Sequence, residues 1–258
     1  MSKLELRGIY HSFPVKKQRV SVLSNITLHV NDGEFVSIIG PSGSGKSTLF
    51  HIIGGLLKPS AGEVWLDDVN ITGRKGLISY MPQQPALFPW RSIESNVVIA
   101  QEVAGESRSS ALEKAREWLP KVGLGGYERE LPHILSGGMQ QRVSFLRALL
   151  SPQELMCLDE PFGSLDALTR QDMQAWLLNI WEQNKRSILF VTHSIEEALF
   201  LSDRIYVLSN KPSTVLEELK IPFSRPRQES VMLEPEFQKL RLHIQAHLRK
   251  EIIYDKRH

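Results

Sequence analysis

The stretch Gly40-Pro41-Ser42-Gly43-Ser44-Gly45-Lys46-Ser47-Thr48 constrains this chain more than any other part of it. Up to Ser47 it satisfies G-x-x-x-x-G-K-[ST], and its context fits the physics of that motif. Residues 35–39 ahead of it are nearly all apolar, as expected for a strand covered on both faces. Behind it, Leu49, Ile52, Ile53 and Leu56 recur at i, i+3, i+4 and i+7, which predicts a helix with one apolar face. Strand, glycine-rich loop and helix in that order make an anion cradle. The glycines let backbone N–H groups curl around a phosphate, and the helix N-terminus adds partial positive charge. Lys46 would reach the β- and γ-phosphates of a nucleotide, and Ser47 would offer its hydroxyl to Mg²⁺.

The rest of the chain alternates in the same way. Residues 26–30, 63–67, 77–81, 155–158, 188–192 and 204–209 read as strands. Asn31-Asp32-Gly33 is turn chemistry, and residues 16–19 read as an exposed basic hairpin tip. Between about Pro82 and Leu150 the strand signals fade. Leu112, Ala115, Leu119 and Val122 mark one helix ending near Gly123, and Val143, Leu146 and Leu150 mark another. Met173, Trp176, Leu177, Ile180 and Trp181 share a further helical face. Ser194 with Glu197 three residues on fits a capping box. Phe237, Leu240, Ile244 and Leu248 give a C-terminal helix. Strands alternating with helices imply a mostly parallel sheet with helices on its faces, interrupted by a helical insertion.

Two further segments carry chemistry. The apolar run 155–158 ends in Asp159-Glu160. Asp159 at a strand end can hold Mg²⁺, and Glu160 would face an attacking water as general base. Cys157 within that apolar run reads as a small buried residue. Ser136-Gly137-Gly138 opens a helix and would form a second anion-binding N-terminus. One nucleotide needs one such cradle, so a second one suggests that two copies of the chain share their nucleotides.

Composition narrows the partners. A formal net charge of +2 over 258 residues argues against a wrapper of nucleic acid. Hydrophobic content of 41% with 23% charged residues is ordinary globular usage, which excludes wholesale disorder. A single cysteine permits no internal disulfide. No apolar stretch approaches the roughly 20 residues of a membrane-crossing helix, and the first residues lack the apolar core of a signal peptide. Work at a membrane would therefore require docking on another protein.

Leu135-Ser136-Gly137-Gly138-Met139-Gln140-Gln141-Arg142, standing between the phosphate loop and Leu158-Asp159-Glu160-Pro161, resembles the signature of ATP-binding-cassette (ABC) ATPases. The resemblance runs from about Leu4 to Leu219. It implies an α/β P-loop fold with a mostly parallel core sheet, an N-terminal antiparallel β subdomain and an inserted helical subdomain. The ATPase domain would span residues 1–220, with the insertion at about 84–150, and residues 221–258 would form a short helical extension. ATP and Mg²⁺ are the implied cofactors. Phe13 matches the aromatic that stacks on adenine, and Gln83 the glutamine that senses the γ-phosphate and metal. Ser164-Leu165-Asp166 matches the loop that crosses the dimer interface, and His193 the switch histidine. Ser136, Gly137, Gly138 and Gln140 would contact nucleotide from the second copy, with Asp166. Glu160, His193, Gln83 and Lys46 would carry catalysis, and Ser47, Gln83 and Asp159 the metal. Two positions depart from the family pattern: Pro82 stands where relatives often carry an aromatic, and Ser194 where many carry Asp.

Within the family, Ala86-Leu87-Phe88-Pro89-Trp90-Arg91, residues 160–170 and Arg225-Pro226-Arg227 resemble the ATPase subunits of bacterial nitrate, sulfonate and taurine importers. Importers of thiamine-precursor pyrimidines share these features. The tail is expected to be too short for the regulatory domain of sugar-importer ATPases. The implied partners are a second copy, a membrane permease and, indirectly, a substrate-binding protein, at the cytoplasmic face of the membrane, with no nucleic acid. The alternative reading is a soluble non-transport cassette acting as a scaffold or assembly factor. DNA-repair cassettes carry long coiled coils, which no sustained heptad run here provides. In a plain P-loop kinase the 135–142 segment would have no role.

Overall fold

A computed structural model describes residues 2–16 and 18–255. In chain order the elements are β1 (Ser2–Val15), β2 (Gln18–Asn31), β3 (Phe35–Ile39), α1 (Lys46–Ile53), β4 (Ala61–Leu66), β5 (Val69–Asn70) and β6 (Ser79–Met81). Then come α2 (Ile93–Val97), α3 (Ile99–Val103), α4 (Arg108–Trp118), α5 (Gly137–Leu149), β7 (Leu155–Asp159), α6 (Ala167–Asn184) and β8 (Ser187–Val191). The last are α7 (Ile195–Leu201), β9 (Arg204–Leu208), β10 (Val215–Lys220) and α8 (Pro235–Asp255). These divide into two compact units, residues 1–77 with 178–258, and residues 78–177.

The first unit holds two sheets. One is antiparallel, in the order β2-β1-β4-β5, and supplies the expected N-terminal β subdomain. Lys17 of the expected basic hairpin tip lies outside the described residues, and Lys16 beside it is exposed with a φ of 55°. The other sheet is parallel from β9 through β3 to β8, with β10 added antiparallel on β9. Every residue of β3, β8 and β9 is buried, which is why their sequences read as unbroken apolar runs. β10 alternates between half-buried and exposed residues, as an edge strand does.

α1 begins where Gly45 leaves the phosphate loop. Gly45 takes φ 95°, and a Cβ there would lie 2.7 Å from Val22 Cγ1, so both backbone and packing require glycine. The expected apolar face holds at Leu49, Ile52 and Ile53 but not at Leu56, which is exposed. The helix stops earlier than its periodicity because Gly55 turns left-handed, with φ 70°. The Leu56 and Gly55 amides then close on the carbonyls of His51 and Ile52, a Schellman end.

The second unit carries β6 and β7, paired in parallel, with α2 to α5 and the start of α6. The expected strand at 77–81 forms only at 79–81. α4 buries Ala111 and Ala115 and ends at Trp118; a 3-10 turn then carries Val122 to Gly123, whose φ of 69° stops it as expected. Among the described residues, no helix is long and apolar enough to cross a membrane.

Candidate active site

In the first unit the 40–48 loop is folded around its own lysine. Lys46 is 7% exposed, and its ammonium donates to the carbonyls of Gly40 and Pro41 at 2.9 Å each. Ser44 Oγ accepts at 3.4 Å. The Lys46 ammonium is thus held by the carbonyls of its own loop. Ser42, Gly43 and Ser47 are exposed and Thr48 half-buried, so the rim of the cradle is open. Phe13 on β1 is 37% exposed and stacks edge-on against His11 with ring centroids 4.6 Å apart. The ring is therefore partly open to solvent rather than fully packed in the core.

His193 is exposed immediately after β8. Its backbone is fixed from both sides. Ser194 caps α7 by accepting the Glu197 amide, and the Ser194 amide donates to Thr192 Oγ1 at 3.0 Å. Thr192 Oγ1 in turn donates to the Glu197 carboxylate at 2.5 Å. The capping box expected from sequence therefore closes through Thr192 rather than directly.

In the second unit, β7 delivers two acids to different surroundings. Asp159 ends the strand at 2% exposure. Glu160 follows with φ 48°, a left-handed conformation that is rare outside glycine and recurrent at functional sites. That turn aims its carboxylate at Gln83: the Gln83 amide donates to Glu160 Oε2 at 2.9 Å. Gln83 is held in turn by Gln141 of α5, which donates to the Gln83 carbonyl at 3.4 Å. Tyr80 of β6 was not singled out by sequence, yet its hydroxyl bonds the Asp159 carboxylate. Burial, the charges of Asp159 and Cys157 and that bond push the Tyr80 hydroxyl far above its ordinary range. A polar tip on a short strand was the only signal for it. Burial likewise raises the Cys157 thiol, which is inert and structural as read.

Ser136 is the N-cap of α5 and accepts the Met139 amide at 3.3 Å. Gly137 is exposed and open on its Cβ side, whereas a Cβ on Gly138 would sit 3.2 Å from Leu165 Cδ2. Gln140 donates back to the carbonyls of Pro132 and Leu135, fixing the approach to the helix. Asp166 caps α6 through the Thr169 amide at 3.0 Å. Its hydrogen bonds to Thr169, side chain first and backbone second, hold the exposed carboxyl below its ordinary range.

Residues 23–163 match the family model for the ABC transporter. The chain belongs to that family. An uncharacterized ABC transporter ATP-binding protein of Methanocaldococcus jannaschii is 41% identical over 242 residues, 94% of this chain and 91% of its own length. An aliphatic sulfonates import ATP-binding protein of Bacillus cereus is 42% identical over 226 residues, 87% and 89% of the two lengths. Among solved structures, a dimeric ATP-binding cassette in a post-hydrolysis state bound to ADP and Pi superposes with a TM-score of 0.76 at 30% identity. It covers 86% of this chain and 100% of that one. The chain is accordingly an ABC ATPase, with ATP as its nucleotide and the P-loop cassette fold that its motifs implied.

Proposed function

We propose that this ABC ATPase drives a separate membrane permease in an importer of the nitrate, sulfonate and taurine type, as a homodimer that sandwiches two ATP molecules. The observation that carries the cargo class is the likeness, across nearly nine-tenths of the chain, to a protein named for aliphatic sulfonate import. The sandwich is supported by a similar cassette solved as a dimer with ADP and Pi, and by the exposed, Ser136-capped start of α5. On this reading the chain sits peripherally at the cytoplasmic face of the membrane, and residues 1–220 are the ATPase domain with 221–258 as its extension.

Each side chain then has a task that its setting supports. Lys46 neutralises phosphate charge from a position already fixed inside the loop. Phe13 offers a ring to the adenine. Ser47, Asp159 and Gln83 supply only oxygen ligands, the donor set that a hard divalent cation such as Mg²⁺ prefers. Mg²⁺ when bound would offset charge on the transferring phosphoryl group. Glu160 takes the proton from the attacking water, and the Gln83 amide orients its carboxylate for that transfer. His193, held on the β8–α7 turn, supplies a donor to the γ-phosphate. Ser136, Gly137, Gly138 and Gln140, with Asp166, face the partner's nucleotide.

The test is Glu160→Gln. The amide keeps the size of the side chain and cannot accept the proton, so turnover should fall by at least about a hundredfold while ATP still binds and the dimer accumulates. Turnover near the parent rate would remove Glu160 as the base. Cargo is tested on the reconstituted complex by comparing stimulation of ATPase by binding protein loaded with an alkanesulfonate, nitrate or a pyrimidine. Stimulation by the pyrimidine alone would move the cargo to that class.

A further inference from the structure

The C-terminal helix α8 carries two histidines one turn apart, His243 and His247, and spacing of four places both on one face. That face meets the edge strand β10. Successive residues of β10 point opposite ways, so Glu218 lies on one face beside Arg204 at 2.9 Å, while the half-buried Glu217 turns to α8. The His243 Nε2 lies 3.0 and 2.9 Å from the two oxygens of the Glu217 carboxylate. The His247 Nε2 lies 3.8 Å from the nearer one, and the two imidazole rings are 4.7 Å apart. One ligand atom from each of the three residues falls within 4.8 Å of the others.

A hydrogen bond explains why His243 sits on Glu217. It does not explain why a second imidazole is brought to the same carboxylate at a distance too long for such a bond. Three ligands converging on one point do explain it. We propose that Glu217, His243 and His247 bind one divalent transition-metal ion of the zinc class, which ties α8 to the edge of the sheet. Two imidazoles and one carboxylate form a nitrogen-rich set that suits zinc, whereas calcium and magnesium prefer oxygen throughout. Zinc–ligand lengths of about 2.0–2.2 Å put neighbouring tetrahedral ligands about 3.3 Å apart. The present spacing reaches that by small side-chain rotations. Side chains 44%, 26% and 34% exposed, for His243, Glu217 and His247, leave an entry path and room for a water as fourth ligand.

None of the three residues belongs to the nucleotide motifs, so the ion has no part in ATP hydrolysis. Its effect is on the helix. α8 is otherwise anchored by the buried Phe237 and Ile244 and by Glu251, which accepts the Asn210 amide at 2.9 Å. A ligand that binds only the docked helix stabilises the docked state in proportion to its occupancy.

The full chain, stripped with chelator and free of nucleotide, should be titrated with Zn²⁺ by calorimetry and with Co²⁺ by visible absorption. One ion per chain is expected, with the absorption of low-coordinate cobalt and a rise in melting temperature. His243→Gln and His247→Gln should each weaken binding at least about tenfold, and Glu217→Gln should do the same without changing shape. His51→Gln, at an exposed histidine elsewhere, should leave it intact. ATPase activity of the His243→Gln, His247→Gln double variant reports that it folds. Absence of stoichiometric binding to the parent, or binding unchanged in the folded double variant, overturns the proposal.

Discussion

Gly45 shows how much a single position can decide. Its left-handed φ and the 2.7 Å approach of Val22 leave no place for a methyl group. Gly45→Ala should cost about 1–3 kcal/mol of stability from backbone strain alone, read by urea unfolding, and should weaken ATP binding because the loop must shift. A second residue-scale case is Glu218. Burial alone would raise its carboxyl, but the hydrogen bond and charge of Arg204 outweigh that and hold it below its ordinary range. The folded value lies below the unfolded one, near 4.3. Its contribution is therefore complete above that value and is lost as pH falls through the folded one. The Glu218 side chain is 40% exposed, so solvent screening limits the pair. Glu218→Gln should lower stability by about 0.5–1 kcal/mol near neutral pH and by nothing in acid. A deficit that persists at low pH would assign the effect to packing.

At the scale of elements, periodicity carried the reading far where the environment was uniform. Fully buried β3, β7, β8 and β9 were legible as apolar runs, Ser136 as the start of a helix and Ser194 as a cap, because those signals are local. The end of α1 was not, because Gly55 overrode a pattern that Leu56 still obeyed. The pairings Gln83–Glu160 and Glu217–His243 were also hidden, since residues far apart in sequence meet only after folding. The loop 85–91 is the instructive case. Its aromatics could equally have been core, yet Trp90 is 73% exposed and touches Phe88 edge-on. Fully buried Asn96 holds the loop, accepting the Phe88 amide and donating to the carbonyls of Phe88, Arg91 and Ser92. Arg147 donates to the carbonyls of Pro85 and Ala86. An exposed tryptophan on a loop so well fixed suits a docking anchor. Trp90→Ala should change stability by less than about 0.5 kcal/mol and leave basal ATPase intact, while transport by the reconstituted complex falls. Asn96→Ala, in contrast, strands buried polar groups and should cost about 2–3 kcal/mol. Equal loss of stability from both would make Trp90 a packing residue.

At the scale of the whole molecule the question is whether one chain or two complete a catalytic site. Lys46 and the Gly137 helix start lie in different compact units of the chain, so the sequence order alone leaves open which copy each one serves. A phosphate loop and a second helix N-terminus on one chain are redundant if both act on a single nucleotide, but complementary if each serves the other's nucleotide across a two-fold axis. Mixing defective chains separates the two cases. Lys46→Ala removes the charge held inside the loop, and Gly137→Asp, on the proposed role of the α5 start, would set a carboxylate against the γ-phosphate, where like charges repel. Each variant alone is inactive under either arrangement. In a heterodimer of the two, sharing across the axis leaves one site with both parts intact and concentrates both defects in the other. Random mixing at equal amounts should then restore about a quarter of the parent ATPase rate if the sites turn over independently. If each chain completes its own site, every site in every dimer carries one defect and the mixture stays inactive. The rate of the mixture, measured against each variant alone and corrected for the heterodimer fraction seen by native mass spectrometry, decides between them.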